Sequence, residues 1–203
     1  MKTHITIGFL LLSLNACASE TQSNVLDAFE EVDATTIVDA PTADSTNLSA
    51  AEKATLRRGE YMVELLGCGS CHTNGALEGD PDQERMLAGS DIGIAYTSPL
   101  DNQHPGVVFA PNITPDVETG IGGWDVAQVV RAIRQGSGRH GDAASLVMPW
   151  PGYARLSDED AMAIARYLKS IEPIRHKVPD KVAPGQKTNE LFVYFGFYRS
   201  SLD

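Results

Sequence analysis

Cys68-Gly69-Ser70-Cys71-His72 is the stretch that decides how this chain is read. Two thiols stand three positions apart, with an imidazole directly after the second. On a helical turn, positions i and i+3 share a face. The pair can therefore reach two neighbouring points on one flat ligand, while the next side chain turns under its plane. Gly69 and Ser70 are small enough to let the backbone approach closely. The sequence just before is an amphipathic helix pattern. A redox C-x-x-C would instead follow a strand in a βαβ setting. A structural zinc site needs two further ligands at matching spacing, and the only other cysteine is Cys17. A disulfide between the two thiols leaves His72 without a role.

C-x-x-C-H is the attachment signature of c-type haem. Cys68 and Cys71 are expected to form thioethers with the two vinyl groups, and His72 to supply the proximal iron ligand. One motif implies one haem c and one iron. The distal candidates are Met62, Met86, Met148, Met162, His104, His140 and His176. Met62 and Met162 fall within helix patterns and read as core. The three histidines read as solvated loop residues. Met148 precedes Pro149 on a loop that ends shortly before the last helix. Proline stiffens such a loop and removes a backbone donor, which keeps a thioether aimed. Met148 is thus the expected distal ligand, with Met86 in the long loop as the competitor.

Working outward, three helices are expected. The first starts near Ser49, with Glu52 completing a capping box, and Gly67 ends it. Its apolar positions are Leu56, Tyr61, Met62, Val63, Leu65 and Leu66. The second runs from about Trp124 to Gln135 and stops at Gly136, with Val126, Val129, Val130 and Ile133 on its apolar face. The third opens at Ser157, carries three acids at its positive end, and is closed by Pro173. Between the first two lie some fifty Gly/Pro-rich residues with little periodicity. So long a connection makes sense if it wraps a large cofactor.

The order of parts resembles a class I cytochrome c. More specifically, it is similar to the haem domains in cytochrome c subunits of bacterial membrane-bound alcohol, aldehyde and gluconate dehydrogenases. Arg58-Gly59-Glu60-Tyr61, Cys68 to Thr73, Pro111-Asn112-Ile113-Thr114-Pro115-Asp116, Thr119-Gly120-Ile121-Gly122, Trp124, Met148-Pro149, Ser157-Asp158-Glu159-Asp160 and Arg166-Tyr167-Leu168 carry the resemblance, over about Lys53 to Val178. It implies an all-α cytochrome c fold in which the first and last helices pack across each other around one covalent haem. It also implies that a loop proline carbonyl, here Pro111, accepts the proximal histidine's N–H. Trp124 is expected either to reach a haem propionate through its indole N–H or to pack in the core. Asn112 and Arg131 are further candidates for groups beside the haem, or are structural and solvated. Those subunits carry three such domains in tandem, whereas this chain has one such motif.

The rest of the chain bears on location and partners. Lys2 and the apolar run Ile5 to Leu14 read as an export signal, too short for a bilayer span of about 20 residues. Leu14-Asn15-Ala16-Cys17 resembles a bacterial lipobox, which would make Cys17 a lipidated first residue and Ala18 an outer-membrane sorting position. Ala16-Cys17-Ala18 is the competing cleavage site. Expected divisions are 1–16 signal, 17–47 lipidated cysteine plus acidic flexible tether, 48–178 cytochrome c domain, and 179–203 C-terminal extension. The tether lacks apolar periodicity, and a coil of that length spans roughly 30 Å. The 203 residues carry 16 Lys+Arg against 27 Asp+Glu, a net charge of −11. Eight of the acids lie between Ala18 and Glu52, so the domain itself is only mildly acidic. Such a balance argues against nucleic acid as a partner. The tail run Leu191 to Phe195 is expected to pack back on the domain or to form a docking patch.

With both axial positions filled by protein, the expected function is one-electron transfer in a periplasm-facing chain. A dehydrogenase would be the donor and an oxidase or another cytochrome the acceptor. The alternatives are a haem enzyme or gas sensor with a displaceable distal ligand, and a fixed electron-transfer subunit of a dehydrogenase complex.

Overall fold

A computed structural model describes residues 32–35, 37–97, 105–136 and 147–194. Five helices form in chain order: α1 (Ala50–Leu65), α2 (Cys68–His72), α3 (Val126–Gln135), α4 (Trp150–Tyr153) and α5 (Asp158–Leu168). Three short strands accompany them: β1 (Gly93–Thr97), β2 (Pro105–Val108) and β3 (Phe192–Tyr194).

The helix boundaries follow local chemistry. Ser49 caps α1, and Ser49 and Glu52 satisfy each other's backbone N–H groups. Gly67, at φ 65°, turns the chain out of α1 and straight into α2. The second expected helix begins two residues later than Trp124. Asp125 is its N-cap and Gln128 completes a capping box, so Trp124 lies just outside. Ser157 caps α5, whose first turn holds Asp158, Glu159 and Asp160.

The largest core cluster lies where α1, α3 and α5 meet. Met62, Val63, Val129, Ile133, Ile164, Ala165, Tyr167 and Leu168 are buried there. α1 crosses α5 at Gly59, where a Cβ would stand 2.2 Å from the Ala163 carbonyl oxygen and 2.5 Å from Tyr167 Cβ. Only a residue without a side chain allows that approach. The first and last helices therefore pack across each other. Not every expected core position is internal: Tyr61, Leu65 and Met162 face solvent. Met162 sits on the outer side of α5, and Tyr61 instead stacks under the Arg58 guanidinium, 5.5 Å from its ring centroid.

The all-α expectation needs correction, because the domain contains a small mixed sheet of order β2-β1-β3. β1 and β2 pair antiparallel, Ile94 opposite Val108, and β3 joins β1 in parallel, Ile94 opposite Val193. β2 is Val-rich and β1 alternates short and long side chains, which suits a pleated surface. β3 comes from the C-terminal extension, which packs back on the domain: Val193 joins the cluster of Leu77, Ile92 and Ile94. Phe192 and Tyr194 face outward.

The tether also ends earlier than expected. Part of 17–47 is an ordered strap rather than a free coil. The Thr35 N–H donates to the Ala76 carbonyl at 2.8 Å, the Ala40 N–H to Glu64 Oε1 at 3.1 Å, and the Asp44 N–H to the Ser170 carbonyl at 3.0 Å. The Tyr167 hydroxyl donates to the Pro41 carbonyl. Val38 is buried against Gly69, where a Cβ would lie 2.7 Å from Val38 Cβ. Polar composition hides this because backbone groups, with one valine and the small side chains of Ala40 and Ala43, make the contacts. The expected signal segment 1–16, Cys17, His104 and His140 lie outside the described residues.

Candidate functional site

α2 is a single helical turn that carries the whole C-x-x-C-H motif. It forms because Gly67 reverses the chain at its start and Thr73, in extended conformation, ends it. Cys68 and Cys71 are free thiols, both partly buried. Burial, with Cys71 as a like-charged neighbour, pushes the Cys68 thiol up to about 12. Burial also raises Cys71. Both are therefore neutral thiols until they react. Among the described residues no group of three or more His, Cys, Asp or Glu gathers as a metal site.

His72 is aimed by a second segment. Its Nδ1 lies 2.7 Å from the Pro111 carbonyl oxygen. A carbonyl only accepts, so Nδ1 carries the proton and Nε2 keeps its lone pair. Burial lowers the imidazole's pKa against the opposing pull of that bond, which favours the neutral form.

The loops behind His72 are stitched in layers. The Gly89 N–H donates to the His72 carbonyl at 2.8 Å. The Leu87 N–H donates to Thr73 Oγ1 at 3.1 Å, and the Leu87 carbonyl accepts from the Ile113 N–H at 3.0 Å. Asn112 is buried directly after Pro111. Its Oδ1 accepts from the Thr114 N–H and hydroxyl at 2.9 and 2.7 Å. Its Nδ2 donates to Thr119 Oγ1 and the Ile174 carbonyl at 3.0 and 2.7 Å. Asn112 thus holds the Pro111 turn from behind.

Met148 is half-buried on the short segment between two residues packed near α2. Val147, before it, belongs to the apolar cluster that includes Cys71. Tyr153, after it, donates its hydroxyl to the Leu66 carbonyl at 3.2 Å, just ahead of the motif. Met86 instead ends the short 3-10 turn Gln83–Arg85. His176 is not the solvated loop residue expected. Its side chain is only 10% exposed, Nδ1 meets the Ala88 carbonyl at 2.8 Å, and Nε2 meets Asp91 Oδ1 at 3.0 Å. Both ring nitrogens are thus occupied by protein oxygens. Trp124 is half-buried against the core, and its carbonyl accepts from Lys169 Nζ at 2.8 Å. Arg131 is exposed on α3.

Two residues escape the sequence reading. Lys169 Nζ also bonds the Ile121 and Gly122 carbonyls, at 3.2 and 2.7 Å, fixing the turn into α3. The Trp150 indole N–H is buried without an acceptor among the described residues. Neither carries a spacing signal that could have exposed it.

Chemically, two neutral thiols on one helical turn, beside an imidazole with a free Nε2, suit a porphyrin bound at one edge and ligated from one face. Known proteins point the same way. Residues 56–172 match the family model for cytochrome c. The chain is 37% identical over 133 residues to the cytochrome c subunit of a quinone alcohol dehydrogenase from Gluconobacter oxydans (strain 621H), covering 64% of this chain and 25% of that protein. It is 33% identical over 135 residues to the gluconate 2-dehydrogenase cytochrome c subunit of Pantoea cypripedii, covering 66% and 27%. To the fructose dehydrogenase cytochrome subunit of Gluconobacter japonicus it is 32% identical over 137 residues, covering 67% and 25%. The match thus spans about a quarter of the length of these relatives. With more than half of its length matched by the family model, and the attachment motif on its own helical turn, this chain belongs to the cytochrome c family.

Proposed function

We propose that this chain is a single-electron carrier holding one haem c, attached through Cys68 and Cys71, with His72 and Met148 as axial ligands. The observation that carries the reading is the His72–Pro111 bond. It fixes the imidazole's tautomer and orientation, leaving Nε2 free to ligate. When bound, the haem supplies an Fe(III)/Fe(II) couple. The chain's own residues do the rest. Cys68 and Cys71 hold the porphyrin edge, and Pro111 and Asn112 keep His72 from turning. The Val147–Tyr153 segment presents Met148, and the cluster of Leu77, Ile92, Ile94 and Val193 excludes water beside Cys71. Ligands on both faces leave no position for a substrate, which fits a carrier rather than an enzyme.

The partners proposed are a dehydrogenase as donor, in line with the names of the relatives, and an oxidase or cytochrome as acceptor. We also propose export and lipidation at Cys17, with the outer membrane as the destination. The support is the apolar run Ile5 to Leu14 followed by Leu14-Asn15-Ala16-Cys17. Among the described residues no helix is long and apolar enough to cross a membrane.

Purified protein should retain its haem through acid–acetone extraction, at one haem per chain. Loss of haem to the solvent, or two haems, would refute the cofactor assignment. Cys17→Ser should move the protein from the membrane fraction to the soluble one; an unchanged distribution would remove the anchor.

A further inference from the structure

The strap crosses the C-x-x-C-H turn in a fixed order. At its start the Asp33 carbonyl lies against Gly79, where a Cβ would stand 2.4 Å from that oxygen. The Thr35 N–H then bonds the Ala76 carbonyl, and Val38 covers Gly69 between the two cysteines. The Ala40 N–H reaches the Glu64 carboxylate. Residues 33–40 thus run from just beyond α2 to the end of α1, and their outer side borders the turn.

Val38 faces inward, but its neighbours do not. Ile37 is 75% exposed, and Val32, next to Asp33, is 43% exposed. Leu65, next to Glu64, is 62% exposed. A single exposed apolar residue is ordinary. Three bordering one helical turn, two of them brought there by the strap, make a contact surface.

The charge around them has one sign. Asp33 and Asp39 are exposed on the strap, Glu78 and Asp80 are exposed beyond α2, and Glu64 is half-buried between them. Among the described residues none of these carboxylates is in an ion pair. From 59 to 84 the sequence has six acids and no Lys or Arg. Basic side chains gather instead on α3, on α5 and after it, at Arg131, Arg134, Arg166, Lys169, Arg175 and Lys177. The acids at the turn therefore repel one another without an internal counter-charge, and a surface of opposite sign relieves that repulsion.

We infer that this surface, with Ile37, Val32 and Leu65 set among these carboxylates, docks a redox protein whose own face carries Lys and Arg around an apolar centre. The inference rests on the carrier reading. Thioethers at Cys68 and Cys71 would hold one porphyrin edge at this turn, and a partner seated there exchanges electrons through that edge. Apolar contact holds the pair together, while opposite charge sets encounter rate and orientation. A second copy of this chain presents the same acids and is repelled. The strap gains a role beyond packing: it supplies side chains to a turn that Gly69 leaves bare.

The test measures second-order electron exchange between the holoprotein and a lysine-rich mitochondrial cytochrome c. At about 0.01 M salt, where the Debye length is about 30 Å, the rate should exceed that at about 1 M by roughly tenfold or more. Asp39→Lys and Glu78→Lys should each lower the low-salt rate about fivefold. Glu172→Lys makes the same change in net charge at an exposed position past α5, and should alter the rate by less than about 1.5-fold. Ile37→Ser should lower it about threefold at every salt concentration. A rate independent of salt, equal slowing by Glu172→Lys, or an unchanged rate in Asp39→Lys or Ile37→Ser would overturn the inference. So would a wild-type dimer that Ile37→Ser separates, since it would give the surface to a second copy. Wild-type protein without covalent haem is a separate result, and it would refute the cofactor reading instead.

Discussion

Gly59 and Ala163 meet backbone to backbone where α1 crosses α5, so closely that a Cβ at position 59 would stand 2.2 Å from the Ala163 carbonyl oxygen. The obstacle is main chain, which cannot rotate away as a long side chain would. Tyr167 Cβ closes the other side at 2.5 Å. Gly59→Ala must therefore push the helices apart, although alanine is the better helix former by about 1 kcal/mol. Overpacking of this kind costs about 1–3 kcal/mol, and rigid surroundings put this case near the top. For a domain of this size, that lowers Tm by roughly 6–12 °C. Thermal melting of the holoprotein by circular dichroism checks it, and an unchanged or raised Tm contradicts the crossing.

Asn112 offers a second test of how the proximal side is held. Its amide makes bonds on both sides, to Thr114 and to the Ile174 carbonyl and Thr119. Asn112→Ala strands the buried Thr114 N–H, while the Ile174 carbonyl keeps the Thr114 hydroxyl as a donor. A buried unsatisfied group costs about 1–3 kcal/mol, and a loss of that size in denaturant unfolding is expected. Asn112→Asp keeps the acceptor and loses the donor, and should fall between. Equal stability of all three proteins would show that this turn is held by other contacts.

The strap is testable by proteolysis. Its contacts are few: Val38 against Gly69, a handful of backbone donors and acceptors, and the Tyr167 hydroxyl. Val38→Asp buries a carboxylate beside α2, which the strap avoids by detaching. Limited proteolysis should spare residues 37–46 in the wild type and cleave there in the variant, at least tenfold faster. Tm should fall only modestly, because the strap adds just Ala40 and Ala43 to the edge of the main core. Rapid cleavage of the wild type within 37–46 would restore the tether boundary at residue 47.

These residues also show what a sequence can reveal. The Ser49, Asp125 and Ser157 caps, and Gly67, are local signals, and the helix ends fall within about two residues of them. The haem-attachment motif is contiguous, so its chemistry is legible in the residues themselves. Pro111 is reached only through a family pattern, since nothing local says that a carbonyl 39 positions away points at His72. The strap, the sheet and the burial of His176 are hidden from the sequence for a shared reason. Their partners are distant in sequence, mostly backbone groups with the Glu64 and Asp91 carboxylates, and these leave no periodicity. β3 pairs with a strand about 100 residues earlier, and its three residues are too few for an alternation to register.

Met148 is the distal assignment that a single variant separates from its competitor. Its neighbours Val147 and Tyr153 both pack near α2, whereas Met86 closes a 3-10 turn beside Leu87. A thioether on ferric haem gives a weak far-red charge-transfer band, which the oxidised protein should display. Met148→Ala should abolish that band and open the sixth position to water or carbon monoxide. The potential should fall, because a thioether favours ferrous over ferric iron more than water does. For a one-electron couple 59 mV is a factor of ten, so a preference of a few kcal/mol corresponds to a drop on the order of 100 mV or more. The fold should persist, since Cys68, Cys71 and His72 still hold the haem and the α1–α5 crossing is untouched. Carbon monoxide binding to the reduced protein should rise from slow or absent to rapid in the same variant. If Met86→Ala removes the band while Met148→Ala leaves it, the ligand is Met86 and the 148–153 segment serves as a cover rather than a ligand loop.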